Sequence, residues 1–110
     1  MSAANYNLSI SRGEDFNFTT RVVDSYQDAV DFSSSTFIAE IREDHKKPLV
    51  TAFTVTNEGN GTLKFALTDT QTKLLSPERH YKWDFFWTKA SITTKLLYGT
   101  VSVVGNISNV

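Results

Sequence analysis

Hydrophobic and polar side chains alternate along residues 79–87, which read RHYKWDFFW. Successive side chains of a β-strand point to opposite faces of its sheet, so this stretch has two unlike sides. One side carries Arg79, Tyr81, Trp83, Phe85 and Trp87, and the other carries His80, Lys82, Asp84 and Phe86. The pattern predicts a long strand with a nearly all-aromatic inner face, which is typical of the centre of a β-sandwich core.

Shorter stretches with the same period of two residues recur between turn-forming residues. They are residues 6–10, 16–22, 37–41, 49–55, 63–67 and 94–103. The cluster NEGNG at 57–61 predicts a tight hairpin between the fourth and fifth of them, because Asn and Gly tolerate positive φ. Residues 24–35 form a polar connection that is too long for a hairpin and indicates a crossover between sheets. The chain is therefore predicted to be all-β, an antiparallel β-sandwich of about seven strands.

A short helical turn is predicted between the fifth strand and the aromatic strand. Residues 68–75 break the alternation, and either Thr68 or Asp69 is a suitable N-cap. Pro77 ends the turn because proline cannot continue a helix. A second turn, KAS at 89–91, separates the aromatic strand from the last strand.

The alternation also separates core positions from candidate contact positions. The predicted core consists of Phe16, Phe18, Phe37, Ile41, Leu63, Phe65, Tyr81, Trp83, Phe85 and Val101. Glu40 and Arg42 point outward from the third strand. Phe86, Trp87 and Tyr26 fall outside the regular pattern, so we interpret them as exposed aromatics at an interface with a partner.

The composition of the chain narrows the classes of protein to which it can belong. With 110 residues, the chain is predicted to be one domain over 1–110, in which 105–110 form a flexible tail or a segment that a partner orders. The absence of cysteine excludes disulfides, thiol catalysis and cysteine-based zinc sites. A net charge of -1 provides no basic field for nucleic acid. No apolar run approaches the ~20 residues of a membrane helix, and the first residues lack a signal-peptide pattern. We expect a soluble product made in a cytoplasm, with neither nucleic acid nor membrane as a partner.

No arrangement of side chains predicts a catalytic, cofactor or metal site. His80 and Asp84 share a strand face but lie about 13 Å apart by strand rise, too far for a hydrogen-bonded acid–base pair. His45 has no zinc-ligand spacing around it. The aspartates of the long connection do not match an EF-hand loop. Nothing indicates an enzyme.

Several short pieces of the chain, taken in order, carry a family resemblance. They are ISRGEDF at 10–16, VDFS at 30–33, IR at 41–42, GTLKFALT at 61–68, TKLL at 72–75, YKWDF at 81–85 and LYGTVSV at 97–103. This series resembles the small immunoglobulin-like β-sandwich modules of bacteriophage virions, such as the N-terminal module of baseplate upper proteins. One departure is that the glycine which the family tends to place just before the tyrosine is absent, and SPERH stands at 76–80.

The resemblance implies an immunoglobulin-like sandwich and a non-enzymatic structural role in a virion. The chain would be an assembly or adaptor module of the tail, baseplate or fibre-attachment region, made in the host bacterial cytoplasm. Its partners would be other virion structural proteins, in multiple copies that follow the symmetry of the particle. The nearest variant is a capsid decoration protein. An alternative of another class is a carbohydrate-binding module that uses exposed aromatic side chains.

Overall fold

The computed structural model describes residues 3–44 and 46–105. His45 and the predicted tail beyond Gly105 lie outside these residues. Across them the chain forms nine strands and one helical turn. The elements are β1 Ala4–Asn5, β2 Leu8–Ser11, β3 Phe16–Arg21, β4 Thr36–Arg42, β5 Thr51–Ala52, β6 Thr54–Gly59, β7 Thr62–Leu67, α1 Asp69–Thr72, β8 Tyr81–Lys89 and β9 Ile92–Val104.

The strands form two sheets. The six-stranded sheet has the order β1-β9-β8-β4-β5, and β2 also pairs with β9. Its β4, β5, β8 and β9 are antiparallel, whereas β1 and β2 both run parallel to β9. The three-stranded sheet has the antiparallel order β3-β7-β6. The crossover predicted at 24–35 is the connection from β3 in one sheet to β4 in the other.

The core lies between the sheets and is largely aromatic. Ile41, Leu63, Phe65, Tyr81, Trp83, Phe85 and Val101 are buried, and Phe16, Phe18 and Phe37 are partly buried and pack against them. Phe65 of β7 meets Phe85 of β8 edge to face, with ring centroids 4.8 Å apart. Such contacts between opposite sheets hold the sandwich together.

The arrangement is that of an immunoglobulin-like β-sandwich, as predicted. The predicted antiparallel pairing does not extend to β1 and β2, which run parallel to β9. The Tyr81 hydroxyl accepts a hydrogen bond from the Ser76 amide at 2.8 Å, which is the tyrosine corner of this fold. In antibody domains the second core cysteine lies two residues after that tyrosine. Here Trp83 occupies that position, and its ring contacts Phe18 of β3 with centroids 5.9 Å apart. An aromatic contact between the sheets therefore replaces a covalent one.

Two of the predicted local features are confirmed in detail. β6 and β7 form the expected hairpin, and Gly59, Asn60 and Gly61 all have positive φ at its turn. Thr68 is the N-cap of α1: its side chain accepts from the Gln71 amide, and the Gln71 side chain accepts from the Thr68 amide. This reciprocal pair is a capping box.

The strand predicted over 49–55 is wrong as a single element. The chain leaves the six-stranded sheet after Ala52 and enters the three-stranded sheet at Thr54. Phe53 lies between them, buried to 7% exposure, and its amide donates to the Ala39 carbonyl at 2.8 Å. The change of sheet occurs where a buried aromatic side chain anchors the backbone, and alternation alone does not reveal it.

Candidate binding face on the six-stranded sheet

The outward side chains of β4 and β8 form rows of like character. Strand register places Arg42 opposite Lys82, Glu40 opposite Asp84, and Ile38 opposite Phe86. We name these pairs the basic row, the acidic row and the apolar row. Neighbouring rows are two residues apart along the strand, or about 6.6 Å.

Strand β9 extends the rows through a bulge. Tyr98 lies opposite Asp84, but Lys95 rather than Leu96 lies opposite Phe86 because the pairing shifts by one residue at this point. Leu96 is left unpaired and is 5% exposed. The bulge thereby turns Lys95 to the outer side, and its Nζ lies 5.4 Å from the centroid of the Phe86 ring.

These side chains surround a groove with a volume of about 740 Å³. We call the surface that contains it the outer face. The groove is lined by Asn5, Asn7, Ile38, Glu40, Arg42, Asp44, Lys82, Trp83, Asp84, Phe86, Lys95, Tyr98, Gly99 and Thr100. Ile38 and Tyr98 are 55% and 43% exposed, so apolar surface is open to a ligand beside the charges.

Charges on the outer face are only partly paired within the chain. Arg42 binds Glu40 at 3.0 Å and donates to the Lys47 carbonyl at 2.8 Å. Within the described ranges, neither Lys82 nor Asp84 makes a salt bridge. Burial raises the pKa of Asp84. The positive charge of Lys95 lowers this pKa, the negative charge of Glu40 raises it further, and the positive charge of Arg42 lowers it. The acidic row therefore contains a carboxylate that is partly dehydrated and incompletely compensated.

A close approach of the N-terminal strand forms the side of the groove near β9. The Trp83 indole donates to the Tyr6 carbonyl at 2.7 Å, and the Asn7 side chain accepts from the Thr100 amide at 3.0 Å. A Cβ on Gly99 would lie 2.3 Å from the Tyr6 carbonyl oxygen. Glycine at this position is what lets the Tyr6 backbone reach the tryptophan.

The three aromatics predicted as an interface do not share a surface. Phe86 is half-buried on the outer face, and Tyr26 is 83% exposed in the connection from β3 to β4. Trp87 belongs to the other side of β8, so the hypothesis that it is an exposed contact residue is wrong. Its ring packs on Phe32 with centroids 4.9 Å apart, and its indole donates to Ser35 Oγ at 2.8 Å. Adjacent residues of a regular strand necessarily point to opposite faces.

Sequence reasoning identified single outward residues but not the rows. It placed four charged residues on the outward sides of their strands, namely Glu40, Arg42, Lys82 and Asp84. It did not predict which of them lie opposite each other on β4 and β8. Ile38, Lys95 and Tyr98 were missed as members of the site. The signal for Ile38 was present, since it lies between the core positions Phe37 and Ala39. No local signal exists for Lys95, which strict alternation assigns to the inner side together with Leu97.

Outside the outer face, Asp24 has a role within its own loop. Asp24 uses one carboxylate oxygen to accept from the Tyr26 and Asp28 amides, which closes the loop. No group of three or more His, Asp or Glu side chains in residues 3–44 and 46–105 is arranged to hold a metal ion. No helix in the same ranges is long and apolar enough to cross a bilayer.

Comparison with solved structures finds chains of similar fold, whereas comparison with families and curated sequences finds none. No protein family model matches the chain, and no curated protein sequence matches it. A solved structure described as "Anomalous substructure of Titin-A168169" is similar at a TM-score of 0.48 and 8% sequence identity, covering 90% of this chain. The chain spans 44% of the length of that titin chain.

Proposed function

We propose that this chain is a non-enzymatic structural protein of a bacteriophage virion. It would be an assembly or adaptor module of the tail, baseplate or fibre-attachment region. The observation that carries the proposal is the outer face, where charged rows and exposed apolar side chains surround a groove. Such a mixture of apolar contact area and polar groups is suited to binding another protein.

The family resemblance supports the virion as the place of this binding. Its pieces at residues 61–68, 81–85 and 97–103 overlap β7, β8 and β9. They therefore contribute to both sheets of the sandwich. The absence of cysteine agrees with a part that is made in a bacterial cytoplasm.

Mass spectrometry of purified virions tests the proposal. The virions are produced from the genome that encodes this chain, and intact particles, isolated tails and isolated heads are compared. We expect the chain in intact particles and in tails, at a copy number that follows the particle symmetry. Presence in heads alone would support the variant function, a capsid decoration protein. Absence from intact virions would refute both.

A carbohydrate-binding module is the second candidate. The observation in its favour is that the groove combines the Tyr98 ring with the amides of Asn5 and Asn7 and with carboxylates. Sugars bind to such sites by stacking on rings and by hydrogen bonding to planar polar groups. Trp83 lines the groove, so a bound glycan is expected to change its fluorescence. Unchanged fluorescence and an unchanged melting temperature at saturating glycan would exclude this function.

A further inference from the structure

The basic and acidic rows are adjacent and run across the same two strands. Each row contains one residue from β4 and one from β8. The two rows have equal and opposite formal charge. A surface with this pattern is complementary to a rotated copy of itself, provided that the rotation brings each row over the other.

Symmetry determines which rotation achieves this. Two facing copies in a closed dimer are related by a two-fold axis that lies in the plane between them. An axis along the strands would place each row over itself and bring like charges together. An axis across the strands, passing between the rows, instead places Lys82 over Asp84 of the second copy and Arg42 over Glu40 of the second copy.

We propose that the outer face binds a second copy of this chain about a two-fold axis that runs across the strands, with the basic row of each copy over the acidic row of the other. The sheets face each other with β8 antiparallel to β8 of the second copy. Each dimer contains two Lys82–Asp84 contacts and two Arg42–Glu40 contacts between copies. This association is a property of the chain in solution and goes beyond its membership of a virion.

The charges left unpaired within residues 3–44 and 46–105 of the single chain favour a second copy as the partner of the outer face. Lys82 and Asp84 lack salt-bridge partners in the described part of the chain, and Asp84 is already partly dehydrated. A lysine ammonium brought over Asp84 compensates a carboxylate whose dehydration has already begun in the single chain. Lys95 already covers one face of the Phe86 ring, which leaves less of that ring for a stacked sugar.

The area of the outer face determines how tightly the two copies are expected to bind. Seven residues of β4 span about 23 Å, and five neighbouring strands span about 19 Å, so each copy contributes on the order of 500 Å². The total of roughly 1,000 Å² is at the lower limit for specific interfaces. We therefore expect a dissociation constant in the micromolar range or above. Such weak binding becomes effective where many copies are held close together.

Complementary charge reversal is the decisive experiment. With Lys82→Glu, the β8 residue of each row is acidic. With Asp84→Lys, the β8 residue of each row is basic. Each variant alone brings like charges together twice per dimer, whereas a 1:1 mixture restores opposite charges at both contacts. Sedimentation velocity at concentrations from roughly 5 to 500 µM measures association of the wild type, of each variant and of the mixture.

We expect the wild type to dimerise and each variant to bind itself at least about tenfold more weakly. The mixture is expected to return to within about threefold of the wild-type dissociation constant. Lys64→Glu, the same charge change on β7 of the other sheet, is the matched control and should leave association unchanged. Melting curves of dilute samples show whether each variant is folded.

Three results would overturn the proposal. A wild type that is monomeric at the highest concentration removes the second copy as an occupant, whether or not a glycan or another virion protein binds there. Undiminished self-association of both variants shows that a dimer uses another surface. Monomeric variants whose mixture also stays monomeric show that the rows do not pair. None of these results bears on whether the chain is found in virions.

Discussion

Asp84 lies between two core residues of β8 and yet faces outward, where it is half-buried beside Glu40. Burial raises its pKa, so the folded chain holds the carboxyl proton more tightly than the unfolded chain does. The protonated form contributes stability below the unfolded pKa, and this contribution is lost as the pH rises through the folded pKa. At neutral pH the ionised carboxylate therefore disfavours folding of the single chain.

Asp84→Asn should consequently stabilise the monomer at pH 7. We expect the free energy of unfolding to rise by no more than about 0.5 kcal/mol, since much of the carboxylate is in contact with water. Below the unfolded pKa of aspartate the difference should vanish, because asparagine resembles the protonated acid. Urea unfolding of dilute samples at both pH values measures this, with Glu58→Gln on β6 as the control. A destabilised variant at pH 7 would mean that the attraction to Lys95 and Arg42 outweighs burial.

Thr72 shows how one buried hydroxyl joins separate segments. It is 0% exposed, accepts from the Gly13 amide at 3.0 Å and donates to the Glu14 carbonyl at 2.9 Å. These bonds attach α1 to the turn between β2 and β3. Without the hydroxyl, both backbone groups lose their hydrogen-bond partner in a partly buried position.

Thr72→Val should therefore lower the free energy of unfolding by about 1–3 kcal/mol, since it has the same shape but no hydroxyl. Thr72→Ser keeps the hydroxyl and is the matched control. Hydrogen exchange of the Gly13 amide distinguishes the two: it should become faster in the valine variant and stay slow in the serine variant. Equal exchange in both would show that the hydroxyl does not hold the turn.

At the scale of elements, the N-terminal strand is the least regular part of the six-stranded sheet. β1 and β2 keep the same register along β9, but the strand is interrupted at residues 6 and 7. There the Tyr6 amide still donates to the Tyr98 carbonyl at 2.7 Å, while the Tyr6 carbonyl turns to Trp83. At the interruption, the Tyr6 carbonyl accepts a hydrogen bond from the buried Trp83 side chain instead of one from the neighbouring strand.

Gly99→Ala tests this close approach. The added Cβ would meet backbone atoms of Tyr6, so we expect a loss of about 1–3 kcal/mol from overpacking and faster exchange of the Tyr6 amide. Gly59→Ala is the contrasting variant, because Gly59 has a φ of 87° and nothing within 4 Å of an added Cβ. It should cost about 1–2 kcal/mol through backbone strain alone and leave the Tyr6 amide protected. Similar exchange in the two variants would contradict this account.

At the scale of the whole molecule, aromatic rings link the two sheets in the absence of a disulfide. Trp83 of the six-stranded sheet contacts Phe18 and Phe65 of the three-stranded sheet, with centroids 5.9 and 6.0 Å apart. Phe53, at the change of sheet, lies 5.6 Å from the same ring. These rings form an aromatic cluster that bridges the two sheets within the wider hydrophobic core.

Trp83→Ala is expected to lower the free energy of unfolding by about 3–5 kcal/mol, because the ring is 3% exposed and its removal leaves a cavity. Trp87→Ala is the matched control and should cost less, since Trp87 is only partly buried at the periphery of the core. Chemical denaturation measures both. A loss below about 1 kcal/mol for Trp83→Ala would show that the ring does not link the sheets.

Much of the fold follows from local patterns. Alternation identified the inner residues of β4, β7 and β8, and Thr68 with Gln71 encodes the cap of α1 within four residues. The hairpin between β6 and β7 follows from glycines that supply positive φ. These features depend on residues that are neighbours in the chain, which is why the sandwich and its aromatic core could be predicted from local patterns.

The candidate site depends on neighbours in space. Register between β4 and β8 sets Arg42 beside Lys82 and Glu40 beside Asp84, and the bulge at Leu96 turns Lys95 outward. Equally, alternation assigned Trp87 to the inner side, but only packing on Phe32 showed that its ring is held there. These points could not be predicted from local patterns, because strand register is set by hydrogen bonds and packing between segments far apart in sequence.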